Sequence, residues 1–519
     1  DEIHERHVNV DVLIAKLSEL TYEPENQFPF QILMMSATPD PRVLHCFSKE
    51  VKLLNLADSQ LFPIEDIKVV ADTVDDLNNV AVEHTYNILS KMIRNEISPG
   101  HILIFTSGNA RINKIIKSLP TAQSKYLPGS HLKFITNLDN YLNDRTIFYN
   151  KLNEIIGGDQ KTLFFLPIKY AGFITQEAKE IGKNPIPGHP NVIKIIVATN
   201  SIESSITIDG LAAVIDTGIH NQPSYDVSRG LTTLTEGPIS KQSQTQRRGR
   251  VGRIRNGICV QITLKDNPPI ELLPPAILST DLSSNILDLR LMNIRLESIT
   301  NLPDQIAPSV IDAMIQKLVD YQALDSKDHN LTQVGRTLSK FTNISPYIST
   351  SIINVVQKYE NQNLNLLYYL GALTVMVFST DIVANPSSEQ FQKNFDENSD
   401  VITIMKTLLD VMSLHKSFKA TLQNYGFQDK NASQVINTIQ QIMQNFDKDT
   451  DTSTLWDQLI SLYKTMDMMQ FIQSIIEEIG KTRPEWIKCR VASYRTVINV
   501  LNKYALLYKG DTSLSYDGK

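Results

Sequence analysis

The sequence is poor in cysteine and has no long apolar run. Its 519 residues hold three cysteines, Cys46, Cys259 and Cys489, far apart and odd in number. They build neither a disulfide framework nor a zinc knuckle, so an intracellular, reducing setting is expected. No apolar stretch approaches the roughly 20 residues of a membrane span, and no charged segment followed by an apolar run marks a secretory leader. Basic residues are not in excess either: 50 Lys and Arg against 56 Asp and Glu give a net charge of −6. A bulk polycation is thereby excluded, and any nucleic-acid binding needs a local basic channel. Internal repeats and low-complexity blocks are missing as well. What remains, with 42% hydrophobic and 20% charged residues, is the composition of a soluble globular chain of about three to four domains.

Two textures divide that chain. Up to about residue 265, β-branched apolar runs alternate with helical patterns: QILMMS at 31–36, HILIFTS at 101–107, TLFFLP at 162–167, VIKIIVATN at 192–200 and AAVIDTG at 212–218. Continuous apolar strands between helices predict a parallel sheet covered on both faces. The first helix candidate places Val10, Leu13, Ile14 and Leu17 on one face. Beyond NPPIELLPP (267–275), helical patterns such as SVIDAMIQKLVDYQAL dominate to about residue 487. A polar stretch near 383–400 predicts a long loop, and the closing YALLYKGDTSLSYDGK the start of a hairpin. The chain is α/β followed by mostly α.

Four clusters carry chemistry. The opening DEIHERH sets Asp1 beside Glu2. Such a pair suits a magnesium–nucleotide site, one carboxylate holding the hydrated ion and the other orienting the attacking water; a solvated acidic terminus is the plainer alternative. Zinc is disfavoured, because His4 and His7 are three positions apart where the H-E-x-x-H pattern needs four. TQRRGRVGR (245–253) holds Arg250 and Arg253, each preceded by glycine, where the backbone can approach closely. Guanidinium forks there suit the charge on a transferring phosphoryl group, against a basic surface loop. ATNSIESSITIDG (198–210) is a strand running into a hydroxyl-rich turn, with Asp209 placed to accept from a ribose hydroxyl. SAT at 36–38 closes an apolar run and alone carries no chemistry.

Their order is more informative than any one of them. DEIHERH, SATPDP, ILIFTSGNARI, TNSIESSITIDG and QRRGRVGR resemble motifs II to VI of superfamily 2 helicases. More narrowly they resemble the DEAH-type and poxvirus-type RNA helicases. The stretch between the last two motifs is similar to that family's strand-separating β-hairpin, roughly 223–239. STDLSSNILDLRLMNI and YQALDSKDHNLTQVGRTLSKF resemble its winged-helix domain. The resemblance implies an incomplete first RecA-like domain (1–72), a complete second one (73–265), a winged helix (266–343), a helical ratchet-like domain (344–487) and the start of an oligonucleotide-binding barrel (488–519).

The resemblance also implies roles. Asp1 would meet the magnesium shell and Glu2 the hydrolytic water, with His4 linking that site to motif VI. Ser36 and Thr38 would couple ATP state to domain movement, and Thr207 and Asp209 would approach phosphate and ribose. Gln246, Arg250 and Arg253 would face the γ-phosphate. Ser107, Thr199 and, on the hairpin, Arg229 would contact nucleic acid. ATP, magnesium and sequence-tolerant RNA are the implied cofactors and partner, without a membrane. The family's G-x-x-x-x-G-K-[ST] loop is absent from these residues. A fragment unable to turn over ATP alone is therefore expected, with a degenerate RNA-binding relative or a DNA translocase as rivals. ESSITI and QRRGRVGR resemble the viral branch, DEIHER and TIDG the cellular one, so cytoplasm or virion stands against nucleus.

Overall fold

The computed structural model describes residues 2–22, 31–36, 38, 40–47, 51–54, 62–128, 132–136, 138, 141–142, 144–159, 162–170, 176–203, 207–226, 231–359, 363–397, 399–414 and 418–482. The expected barrel start at 488–519, together with Asp1, Arg229 and Cys489, lies outside them. The chain divides into two compact units: residues 1–225, 232–280 and 301–304 form the first, and the remainder forms the second.

The first unit is built on a seven-stranded sheet of order β1-β9-β6-β2-β5-β4-β3. Its strands are β1 (Ile64–Ala71), β2 (His101–Phe105), β3 (Leu132–Phe134), β4 (Leu163–Tyr170), β5 (Val192–Ala198), β6 (Leu211–Asp216) and β9 (Gly257–Leu264), and every pairing is parallel. All residues of β2, β5 and β6 are buried, as central strands under helices on both faces must be. In β2, Ile102 and Ile104 join Leu77, Leu89, Ile112 and Leu119 on one face. Leu103 and Phe105 join Phe148, Leu152 and Ile181 on the other. The helices that cover the sheet are α3 (Asp76–Ile93), α4 (Asn109–Thr121), α5 (Gln123–Tyr126), α6 (Arg145–Ile156) and α7 (Gln176–Lys183), preceded in the chain by α1 (Val8–Tyr22) and α2 (Pro41–Leu44). A two-stranded sheet, β7 (Ile219–Asp226) with β8 (Leu231–Pro238), precedes α8 (Lys241–Arg248). The hairpin thus begins four residues before the expected 223, because Ile219 and His220 are already in strand.

Three expectations need correction. Residues 31–36 carry no strand among the described residues; Leu33 and Met35 are 80% and 47% exposed. A buried parallel strand needs ladders along both edges, and the segment's described backbone tie is Ile3 N–H to the Met35 carbonyl at 3.2 Å. β1 pairs with β9 over its whole length, so the division after residue 72 falls too late: 64–71 belong to the large sheet. In α1, Ile14 is buried but Leu13 is 56% exposed, and the buried positions are Asp11, Val12, Ile14, Ala15 and Ser18. Asp11 turns that face inward because Arg6 holds its carboxylate, a partner that periodicity does not reveal.

Two polar side chains inside the sheet, Lys194 and His101, find local partners. Lys194 of β5 is fully buried, and its Nζ donates to the carbonyls of Ile181, Gly182 and Asn184 at 3.0, 2.7 and 2.7 Å, closing the end of α7. Burial lowers its pKa to about 7. His101, at the start of β2, accepts at Nδ1 from the Lys194 backbone N–H at 3.1 Å. Burial, with Lys194 and Arg255 nearby, pushes its pKa down to about 3. The unfolded chain takes up this proton near pH 6.5 and the native one does not, so stability is full above that pH and falls as pH drops towards 3. The expected slope is up to about 1.4 kcal/mol per pH unit. Denaturant melts of His101→Gln between pH 7 and 4 should be flatter than wild type; parallel curves would refute the assignment.

From residue 281 onward, the described residues of the second unit are helical apart from isolated bridges at Leu324–Leu331 and Val383–Phe427. Helices Pro346–Val356 and Leu364–Ser379 form its centre, with Phe446 packed among Phe341, Tyr368 and Tyr369. The polar stretch 383–400 is not wholly loop: Ser388 caps a short helix, Glu389–Lys393, by accepting from the Phe391 N–H.

Candidate functional site

The opening residues form a single 3-10 turn, Ile3–Glu5, with Glu2 and Arg6 on either side in left-handed conformations, φ 50° and 49°. Non-glycine residues rarely adopt that geometry, and surrounding contacts must hold it. Ile3 is buried beneath the turn. Arg6, only 4% exposed, is gripped by three carboxylates: Asp11, Asp40 and Asp304, each 2.6 Å away. Arg42 binds Asp40 at 2.8 Å and Asp304 at 3.0 Å, completing the cluster. Burial opposes the Arg6 charge, but these bonds outweigh it and raise its pKa.

This anchoring presents His4 to its neighbours on both sides. Its Nδ1 lies 3.2 Å from the Glu2 carboxylate and 3.0 Å from Ser36 Oγ. Its Nε2 lies 2.9 Å from Gln246 Nε2. With the amide as donor, Nε2 accepts and the ring proton sits on Nδ1, directed at Glu2 and Ser36. Thr38 closes the ring: its Oγ1 accepts from Gln246 at 3.2 Å and from Gln242 at 2.5 Å. Gln242 and Gln246 share one face of α8, a turn apart, and Ser240 caps that helix by accepting from the Ser243 N–H. Glu2, His4, Ser36, Thr38 and Gln246 are thus one hydrogen-bonded group.

The arginines at the end of α8 and beyond separate into two kinds. Arg247 is fully buried, paired with Glu203 at 2.9 Å and Asp216 at 2.7 Å, and lies 4.7 Å over the Phe105 ring. Arg250 and Arg253 lie beyond the helix. Burial and the neighbouring Arg253 lower the Arg250 pKa to about 10, although Glu203 and Glu2 act to raise it. Two crowded cations beside a carboxylate favour an additional anion. Arg253 is exposed, and its Nε donates to the Gly249 carbonyl at 2.8 Å. Gly252 sets the turn between them: its φ is +76°, and a Cβ there would lie 2.7 Å from Ile64.

The other predicted residues are placed differently. Thr199 is buried and caps a short turn through Ser201, its Oγ1 2.9 Å from Ser201 Oγ. Ser107 is buried and donates to Glu236 of β8. Thr207 is exposed, and the Asp209 N–H donates to the Lys183 carbonyl at 2.9 Å. None of these four belongs to the His4 group. A cavity of about 730 Å³ adjoins it, lined by His4, Arg6, His220, Gln242, Gln246 and Pro275 among others. Sequence reading missed Gln242, legible as the residue one turn before Gln246, and Arg6, Arg247 and Asp304, for which no local signal exists.

The two guanidiniums, Arg250 and Arg253, suit an anionic phosphate, and the Glu2 carboxylate suits a water; the Gln246 amide is already given to His4 and Thr38. Among the described residues no group of three His, Cys, Asp or Glu could hold a metal ion, and no helix is long and apolar enough to cross a membrane.

Residues 151–255 match the helicase conserved C-terminal domain family. The chain is 25% identical over 407 residues to the probable ATP-dependent RNA helicase DHX40 of Homo sapiens, covering 76% of this chain and 47% of that protein. A putative pre-mRNA-splicing factor ATP-dependent RNA helicase of Schizosaccharomyces pombe is 26% identical, covering 82% of this chain and 60% of its own length. For the ATP-dependent RNA helicase HrpA of Borreliella burgdorferi the values are 24%, 83% and 46%. The chain therefore spans about half the length of these relatives. The crystal structure of the Escherichia coli DEAH/RHA helicase HrpB superposes with a TM-score of 0.52 at 18% identity, over 84% of this chain and 45% of that one. That likeness supports RecA-like domains followed by helical regions. In motif order, in the domain match and in these relatives the chain is similar to the DEAH-box helicases of superfamily 2.

Proposed function

We propose that the protein is an ATP-dependent RNA helicase that moves along single-stranded RNA and remodels it, its second unit supplying a winged helix and a ratchet-like domain. The observation that carries this reading is the His4 hydrogen-bond group, which joins the acidic turn at Glu2 to Gln246 on α8. Bound ATP with magnesium would supply the phosphoryl group and neutralise its charge. Glu2 would orient water and hold its proton. His4, fixed by Ser36 and Gln246, would keep the Glu2 carboxylate aimed. Arg250 and Arg253 would stabilise charge on the phosphate oxygens. Thr38, held by both glutamines, would report on whether α8 is seated against the acidic turn. Asp1 would complete the magnesium shell, and Thr207 and Asp209 would meet the nucleotide.

Backbone and hydroxyl contacts carry no base code, so RNA binding should be sequence-tolerant. The test is ATP hydrolysis by the full-length protein with single-stranded RNA, with single-stranded DNA and with neither. RNA should stimulate turnover more than DNA does. Equal stimulation by DNA would favour a DNA translocase, and RNA binding without hydrolysis would replace this reading with a non-catalytic RNA-binding protein.

A further inference from the structure

Ser107 lies in the loop that follows β2, and its hydroxyl already has an acidic partner. The carboxylate of Glu236, from β8, accepts from Ser107 Oγ. The same carboxylate takes both arms of a guanidinium fork: Arg111 Nε to Oε2 at 2.6 Å and Nη2 to Oε1 at 2.8 Å. Arg111, on the first turn of α4, is itself aimed by Nη1, which donates to the Val74 carbonyl at 2.9 Å. Its side chain is 17% exposed and that of Glu236 is 31% exposed. Burial works to raise the Glu236 pKa, but the bonds from Arg111 and Ser107 outweigh it and hold the group ionised.

A bidentate fork and a hydroxyl around two oxygens of one anion form the geometry that also receives the non-bridging oxygens of a phosphodiester. The occupant here is a side chain on the exposed face of the β7–β8 ribbon. Among the described residues β8 pairs with β7 alone, and its residues Thr232–Glu236 are exposed. The base of the ribbon is fixed in the core by Ile219 and Ile239, so it is the part-exposed Glu236 side chain, not the strand, that leaves the site, and the large sheet is undisturbed.

We propose that Ser107 and Arg111 form a phosphodiester site for single-stranded nucleic acid, and that Glu236 fills this site in the free protein and competes with the bound strand. The inference rests on the RNA-binding reading above and adds a ligand, Arg111, and a built-in competitor. A bland alternative exists: Glu236 and Arg111 are a strut that fastens the hairpin, and both are needed equally.

The two accounts predict opposite signs. Fluorescence anisotropy with a labelled single-stranded RNA homopolymer would compare full-length wild type with Glu236→Gln, Glu236→Ala, Arg111→Ala and the Glu236→Gln/Arg111→Ala double variant across a salt series. Competition predicts that both Glu236 variants bind about three- to tenfold tighter. Their salt slope should be steeper by about 0.7, the value for one more neutralised phosphate on a single strand. Arg111→Ala should bind more weakly than wild type, and the double variant should show no tightening. If the Glu236 and Arg111 single variants all weaken binding, or none changes it, the competitor is refuted and the RNA reading stands. If wild type and variants alike fail to bind RNA, both readings fall.

Discussion

Arg250→Ala in the full-length protein should lower ATP turnover by about 10³- to 10⁵-fold, the worth of a guanidinium facing a transferring phosphoryl group. RNA affinity should stay close to wild type. The expectation rests on placement. Arg250 follows α8, the helix that carries Gln246, and lies near enough to Glu2 for that carboxylate to raise its pKa. Burial and Arg253 depress the same pKa to about 10, so the guanidinium is crowded by like charge and is stabilised most when an anion enters. Arg250→Lys should rescue little, because an ammonium cannot span two oxygens in a plane. Turnover and RNA affinity measured on one preparation decide the matter. Lost RNA binding with normal turnover would move Arg250 out of the phosphate site.

Arg247→Met carries the largest expected effect on stability, a loss of about 3–5 kcal/mol. The side chain is wholly buried and neutralises Glu203 and Asp216. Burial already pushes the Asp216 pKa upward against the pull of Arg247. Removing the cation leaves two buried carboxylates, Glu203 and Asp216, with no charge from Arg247 to offset them. Adding Asp216→Asn to Arg247→Met should recover part of the loss, since members of one network are not additive. The adjacent Arg248 pairs with Asp66 at 2.7 Å with both side chains about one-third exposed. Its alanine variant should cost at most about 1 kcal/mol. Equal shifts in the unfolding midpoints of the Arg247 and Arg248 variants would contradict this division.

These neighbours show what a sequence can and cannot convey. QRRGRVGR offers four arginines, and residue type alone does not separate Arg247, which holds the core together, from Arg250, which faces the acidic turn. The helix phase decides: α8 turns Gln242 and Gln246 towards Thr38 and His4, and the next residue inward towards Asp216.

The parallel sheet was legible because a strand covered on both faces must be apolar at nearly every position, and the central strands HILIF, VIKIIVA and LAAVID are so apart from His101, Lys194 and Asp216. The acidic pair, the SAT triplet and the arginine run were legible as motifs in helicase-like order, because residue type and sequence order are read without tertiary structure. Tertiary structure alone decided the partners. Asp304 reaches Arg6 across nearly 300 residues, Glu236 reaches Ser107, and residues 31–36 remain without a ladder. The physical reason is that periodicity reports burial, whereas an ion pair or a strand ladder depends on which distant surface arrives. The opening DEIHER shows both: its residue types suggest a chemistry, while the carboxylates of Asp11, Asp40 and Asp304 around Arg6, with Ser36 and Gln246 around His4, fix the turn in place.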